Sequence, residues 1–167
     1  MKTAVQTILN HEDIQNKIRR IAYQIYESNV DEQEIILAGI ALNGYVIAER
    51  LKTILEEVSD LKCTLCKVTM NKMEPQGTVE TSLDATKYQD KSLVLIDDVL
   101  NSGTTLIYGV KYFLDVPLKK FKTAVLVNRN HKKYPVKADF KGISLSTSLQ
   151  ERVKVRFKPG KDSAILE

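Results

Sequence analysis

The chain has 167 residues, 43% of them hydrophobic and 28% charged, with 25 lysines and arginines against 21 aspartates and glutamates for a formal charge of +4. At roughly 150 residues per domain it is expected to form one domain over 1–167, which excludes a large multidomain machine, and its apolar content excludes a disordered chain. The basic excess is mild and spread along the whole length, so it permits an anionic ligand without demonstrating one.

Residues 11–28 carry Ile14, Ile18, Ile21, Ala22 and Ile25 at helical spacing, with Asn10 placed as a cap and Asp13 in the first turn, which predicts an amphipathic helix. Nowhere does an apolar run approach the roughly 18 residues of a membrane helix, so a soluble, cytoplasmic protein with no membrane partner is expected. EIILAGI, at 34–40, reads as a short buried strand, and Val46, Ala48, Leu51, Ile54, Leu55 and Val58 predict a helix over 45–58. Residues 62–69 read as a further strand holding Cys63 and Cys66. Their spacing is that of a redox dithiol or half a zinc site, but residues three apart on a strand face opposite ways and no second pair completes a tetrahedron. Two reduced thiols and no metal are therefore expected.

The stretch 71–91 is polar, contains Pro75 and Gly77 and lacks a clear period, so it is expected to be a lid or an extended excursion, with Lys72 a solvated cation. SLVLI, at 92–96, is a wholly apolar strand, 97–105 a loop, and a helix is expected to begin near Thr104. Strands follow at 122–128, 138–143 and 151–157. Strands alternating with helices, the central ones apolar throughout, predict an α/β fold: a mostly parallel central sheet with helices on both faces.

In such sheets ligands bind beyond the carboxyl ends of the strands, which directs attention to VLIDDVLNSGTT. Asp97 and Asp98 come where SLVLI ends, and Asn101, Ser102, Gly103, Thr104 and Thr105 form a turn at a helix start. Gly103 permits close backbone approach, first-turn N–H groups point outward with the positive end of the helix dipole, and three hydroxyls add donors, which together suit a phosphate. Two carboxylates beside it suit the vicinal hydroxyls of a ribose. Any one of these residues alone would read as a turn or cap residue; it is their coincidence that indicates a site. A receiver-type phosphoacceptor, with paired aspartates after its first strand, fits the order of elements poorly, and a P-loop enzyme is excluded because GxxxxGK[ST] does not occur.

The segment resembles the phosphoribosyl pyrophosphate motif of type I phosphoribosyltransferases: an apolar strand, two acids and a TGxT-like phosphate loop. The stretches RRIAYQIYESN, IILAGIALNGYVIAERL and AVLVNRNHKKYPVKADFKGISLSTSLQERVKV extend the resemblance to the PyrR group, uracil phosphoribosyltransferases that also regulate pyrimidine operons by binding RNA. The resemblance implies a type I fold with a small hood built from terminal segments. It implies transfer of 5-phosphoribosyl to a nucleobase, with uracil favoured, Asp97 and Asp98 on the ribose hydroxyls and Asn101, Ser102, Gly103, Thr104 and Thr105 on the 5'-phosphate. Gly39, Ile40, Ala41, Leu42, Asn43 and Gly44 would face the pyrophosphate, and Arg129 and His131 would flank the base. It also implies Mg2+ carried largely on substrate oxygens and a homo-oligomer, a dimer or larger. An RNA partner belongs to the alternative, a catalytically weak nucleotide- or RNA-binding regulator, for which Arg19, Arg20, Lys132 and Lys133 are the nearest cations.

The sequence departs from the family pattern at several positions. IALNG has no basic residue, the 71–91 stretch lacks the family's arginine and paired acids, Asn128 stands for an acid, and Leu149 for a basic or polar residue. On the first helix Arg19 and Tyr23 stand where the group has a threonine and a histidine.

Overall fold

The computed structural model describes residues 4–148 and 150–167, so Leu149 lies outside the described residues. Strand β1 (Gln6–Leu9) leads into helix α1 (His11–Ser28), followed by β2 (Glu34–Ile40), α2 (Asn43–Val58) and β3 (Lys62–Met70). Next come β4 (Val79–Thr81), the one-turn α3 (Ala85–Tyr88), β5 (Ser92–Leu100) and α4 (Thr104–Phe113). Strands β6 (Lys120–Arg129), β7 (Phe140–Leu145), β8 (Val153–Arg156) and β9 (Ser163–Leu166) complete the order.

Six strands form the central sheet in the order β4-β3-β2-β5-β6-β7. All its pairings are parallel except β3 with β4, so the mostly parallel sheet is as expected. Strand β5 sits near its middle and is buried on both faces: Val94 and Ile96 join the core under α1 and α2, while Leu93 and Leu95 join the one under α4. Its apolar run is continuous because neither face meets water. Cys63 and Cys66 fall in these two separate cores, and burial pushes the Cys63 thiol up to about 12.

The hood is a separate antiparallel sheet, β1-β9-β8, made from the two ends of the chain. Its terminal strands β1 and β9 are four residues each and too short for their alternation to stand out in the sequence. Buried Asp162 fastens it to the body: its carboxylate accepts from Arg50 Nη1 at 2.5 Å, from Gln15 Nε2 at 2.7 Å and from the Lys158 N–H at 2.9 Å. Arg50 also lies over the Phe157 ring, 4.6 Å from its centroid.

Two boundaries differ from expectation. The 71–91 stretch is partly structured, since β4 extends the sheet past β3 and α3 buries Tyr88 edge-on against Phe113. Strand β5 continues through Asp97 and Asp98 to Leu100, where a loop was expected from residue 97. Aspartate is a poor strand former, but β6 is long enough to keep pairing, with Asp97 opposite Val125 and Leu100 opposite Asn128, and Val99 and Leu100 are buried. Tertiary pairing overrides local preference, and the acids end up on a rigid strand.

Candidate active site

A cleft of about 530 Å³ opens beyond the carboxyl ends of the central strands, lined by Asp97, Asp98, residues 99–106 and, across from them, Lys72, Lys133 and Tyr134. Asp97 is buried and Asp98 partly so. Backbone bonds fix both: Asp97 Oδ1 accepts from the Asp98 N–H at 2.9 Å, and Asp98 Oδ1 from the Val99 N–H at 2.8 Å. Burial, then the neighbouring Asp98 charge, pushes the Asp97 carboxyl from 3.8 up to about 7, against the opposing pull of Lys72.

Lys72 reaches in from the segment after β3, its Nζ 3.3 Å from Asp97 Oδ1 and 3.9 Å from Asp98 Oδ1. Burial favours the neutral amine, yet the two carboxylates prevail and hold its pKa above the ordinary lysine value. The solvated lysine expected from the sequence is thus an ion-pair partner of the acidic couple. Lys133 and Tyr134 are likewise cleft residues without a local motif to mark them.

After Leu100 the chain turns through Asn101, Ser102 and Gly103 into α4. Gly103 has φ +88°, and a Cβ there would lie 2.6 Å from Val136 Cγ1, so both backbone and space require glycine. The Ser102 carbonyl accepts from the Lys133 and Tyr134 N–H groups at 2.7 and 3.1 Å, which seats the 131–136 segment on the turn. Ser102 and Thr104 hydroxyls lie 2.8 Å apart, and the first turn of α4 contains no acidic residue. Thr105 and its neighbours present first-turn N–H groups and a hydroxyl at the positive end of α4, a setting for an anion.

Residues 39–44 connect β2 to α2 beside the acids. A Cβ on Gly39 would lie 2.5 Å from Tyr45 Cα, and one on Gly44 2.5 Å from the Ile96 carbonyl oxygen, so these glycines let α2 start against the sheet. Asn43 Nδ2 donates to Asp98 Oδ2 and to the Val155 carbonyl, both at 2.9 Å, and so ties α2, β5 and the hood together. Leu42 is exposed, Ile40 buried and Ala41 intermediate, with the Ala41–Leu42 peptide cis.

This arrangement can be set against known proteins. Residues 4–155 match the phosphoribosyl transferase domain family. The chain belongs to that family. It is 31% identical to the bifunctional protein PyrR of Streptomyces coelicolor over 95% of this chain and 88% of that one. With the PyrR of Alkaliphilus metalliredigens the identity is 32%, covering 96% and 93%. Among solved structures, a hypoxanthine phosphoribosyltransferase from Staphylococcus aureus superposes with a TM-score of 0.72 at 18% identity, covering 86% of this chain and 80% of that one, which shows the shared fold.

Within this phosphoribosyltransferase scaffold, Arg129 and His131 do not line the main cleft. Arg129 is buried and its guanidinium donates to Asn101 Oδ1 and Thr147 Oγ1, both at 2.9 Å, and to the Ser148 and Glu151 carbonyls at 3.1 and 2.7 Å. It also borders a second cleft of about 400 Å³ with Asn101, Arg152 and Lys154. His131 Nε2 contacts the Thr147 carbonyl. Arg129 braces the loop before the hood against the turn at Asn101, and His131 touches the same loop. Of the cations considered for RNA, Arg20 is occupied with the Lys141 and Gly142 carbonyls of β7, while Arg19 lies over Tyr23 on the exposed face of α1.

The residues present give magnesium no seat of its own. Magnesium takes about six oxygen ligands, of which a protein commonly supplies one or two carboxylates and substrate and water the rest. Three of the four oxygens of Asp97 and Asp98 are already engaged by Lys72, Asn43 and backbone N–H groups. Among the described residues no cluster of three His, Cys, Asp or Glu side chains could hold a metal. No helix among them is long and apolar enough to cross a membrane.

Proposed function

We propose that the cleft binds phosphoribosyl pyrophosphate and transfers its 5-phosphoribosyl group to a nucleobase, with uracil the favoured acceptor. One observation carries this reading: two acids on a rigid central strand run directly into a hydroxyl-lined turn and a helix N-terminus within a single cleft. In this assignment Asp97 and Asp98 accept hydrogen bonds from the ribose hydroxyls, and Asn101, Ser102, Gly103, Thr104 and Thr105 receive the 5'-phosphate. Residues 39–44 face the pyrophosphate, and Arg129 and His131 act on the base side by bracing the 146–152 loop.

The reaction makes a bond from a base nitrogen to C1 of the ribose, with loss of that nitrogen's proton to the departing pyrophosphate or water, and breaks the bond from C1 to the pyrophosphate oxygen, which leaves with the electron pair. Positive charge develops on the sugar, so alignment and nearby anions matter more than a covalent nucleophile. Asp97 and Asp98 supply the anions and hold the ring in place. Magnesium belongs to this reading as a counter-ion carried on the pyrophosphate oxygens of the substrate. A cytoplasmic homo-oligomer is part of the same proposal, as is a single functional unit over 1–167.

The test is pyrophosphate release with a panel of uracil, hypoxanthine, guanine, xanthine and adenine. Uracil-dependent release that disappears in Asp98→Asn supports the assignment; release with a purine alone refutes the pyrimidine acceptor. A second reading, a nucleotide- or RNA-binding regulator with weak turnover, is favoured by the 39–44 segment, which carries no cationic side chain for a pyrophosphate. Tight binding of a nucleotide without turnover of any base selects it.

A further inference from the structure

Lys72 approaches the acidic pair where a counter-cation would sit if a sugar were bound there. Its side chain is 45% exposed, yet its ammonium lies 3.3 Å from the oxygen of a carboxylate whose side chain is 4% exposed. Lysine on a flexible four-carbon stem is a compact point charge with three donors, able to neutralise an anion and hydrogen-bond to it at once. Asn43 Nδ2 donates to Asp98 Oδ2 while the Lys72 ammonium lies 3.9 Å from Asp98 Oδ1, so an amide and an ammonium meet different oxygens of the same carboxylate. At the other end of the cleft, the turn into α4 keeps its anion-binding character. The cationic side chain Lys72 lies at the acids, and the neighbouring 39–44 segment carries exposed Leu42 and no basic residue.

We infer that Lys72 takes the part of the divalent cation, so that the cleft receives ribose 5-phosphate monoesters, the class that includes nucleoside monophosphates, without metal. The inference rests on the proposed function only in taking the cleft as a ribose 5-phosphate site. With the sugar bound, its vicinal hydroxyls donate to Asp97 and Asp98, while the ammonium offsets the charge of the pair and donates to a hydroxyl oxygen. A pyrophosphate-bearing ligand gains less here, because its extra negative charges meet no side-chain cation at residues 39–44.

The experiment is calorimetric titration of the full chain with ribose 5-phosphate, in EDTA and in magnesium, for wild type, Lys72→Arg and Lys72→Gln. Wild type should bind equally in the two buffers, within about twofold, and Lys72→Arg should follow it. Lys72→Gln should bind about tenfold or more weakly in EDTA and recover in magnesium, because the pair then lacks its counter-cation and an ion held by a carboxylate, the sugar hydroxyls and water can replace it. Near-ultraviolet circular dichroism confirms that the variants are folded. Wild-type binding that falls about tenfold in EDTA overturns the inference and leaves the ribose phosphate site standing, and so does Lys72→Gln binding as wild type without metal. Wild type that binds ribose 5-phosphate in neither buffer overturns the ribose phosphate site itself, and this inference with it.

Discussion

Asp97→Asn should stabilise the protein at mildly alkaline pH while leaving the acidic side nearly unchanged. The Asp97 side chain is 4% exposed and sits beside a second carboxylate, and these surroundings raise its pKa from 3.8 to about 7. A carboxyl that binds its proton more tightly folded than unfolded stabilises the fold fully below its unfolded value, and that contribution is lost as pH climbs through the folded one. The window here is therefore 3.8 to about 7. At 1.36 kcal/mol for each pH unit, it corresponds to at most about 4 kcal/mol. Asparagine is nearly isosteric, keeps an oxygen for the Asp98 N–H and does not ionise, so the variant escapes the loss. Urea unfolding of both proteins at about pH 4.5 and about pH 8 reads the effect as a change in the stability gap between them. With a slope near 2 kcal/mol/M, the variant's midpoint should gain up to about 2 M relative to wild type on going to the higher pH, with the slope itself unchanged. A gap that stays constant between the two pH values would refute the claim that this carboxyl is held against its preference.

Gly103→Ala should lower the melting temperature and weaken ribose 5-phosphate binding together, since a methyl group at φ +88° lies 2.6 Å from Val136 Cγ1; the strain alone is worth about 1–3 kcal/mol. Differential scanning calorimetry and a binding titration check it, and an unchanged variant would show that the turn relaxes freely. Asp162→Asn should cost about 1.5–3 kcal/mol at neutral pH by weakening the charge-assisted hydrogen bonds to Arg50, whose side chain is partly exposed. Burial works against ionisation of Asp162, but the Arg50 hydrogen bond and charge, with Gln15, hold its carboxyl below the usual range. Its stabilisation is therefore present above the unfolded value and fades as pH falls through the lowered one, so the difference between variant and wild type should shrink in acid. A pH-independent difference in the urea midpoints would argue against ionic clamping of the hood.

What the sequence discloses depends on how local the deciding interaction is. Helix α1 runs from His11 to Ser28 as its spacing predicts, because its cap and its apolar stripe are written in adjacent residues: Asn10 accepts from the Asp13 N–H and Asp13 accepts back. The turn at 101–105 is legible for the same reason, five consecutive residues carrying a local geometry. Strand β5 is different. Its last four residues are held by pairing to a strand some thirty positions later, from Asp97 opposite Val125 to Leu100 opposite Asn128, and no local preference records that.

Lys72 shows how far topology can extend such a reading. Nothing in the polar stretch after β3 marks one lysine above another, and a solvated role is the ordinary expectation. Once β3, β2 and β5 are known to be parallel neighbours, their carboxyl ends share one edge. Two inter-strand spacings then separate the end of β3 from the acids on β5, about 10 Å. A lysine two residues past Met70 spans most of that distance with its stem, and the chain itself covers the rest. Of the residues just beyond β3, Lys72 carries the first positive charge, and it meets the buried Asp97 carboxylate with Asp98 beside it. Arg129 follows the opposite logic. It leaves the last position of β6 with five donors in a rigid fork, and Asn101 with Thr147, Ser148 and Glu151 takes up four of them before any ligand arrives. Side chains with many fixed donors are consumed by the scaffold, whereas a lone ammonium on a flexible stem stays available to trade one oxygen partner for another.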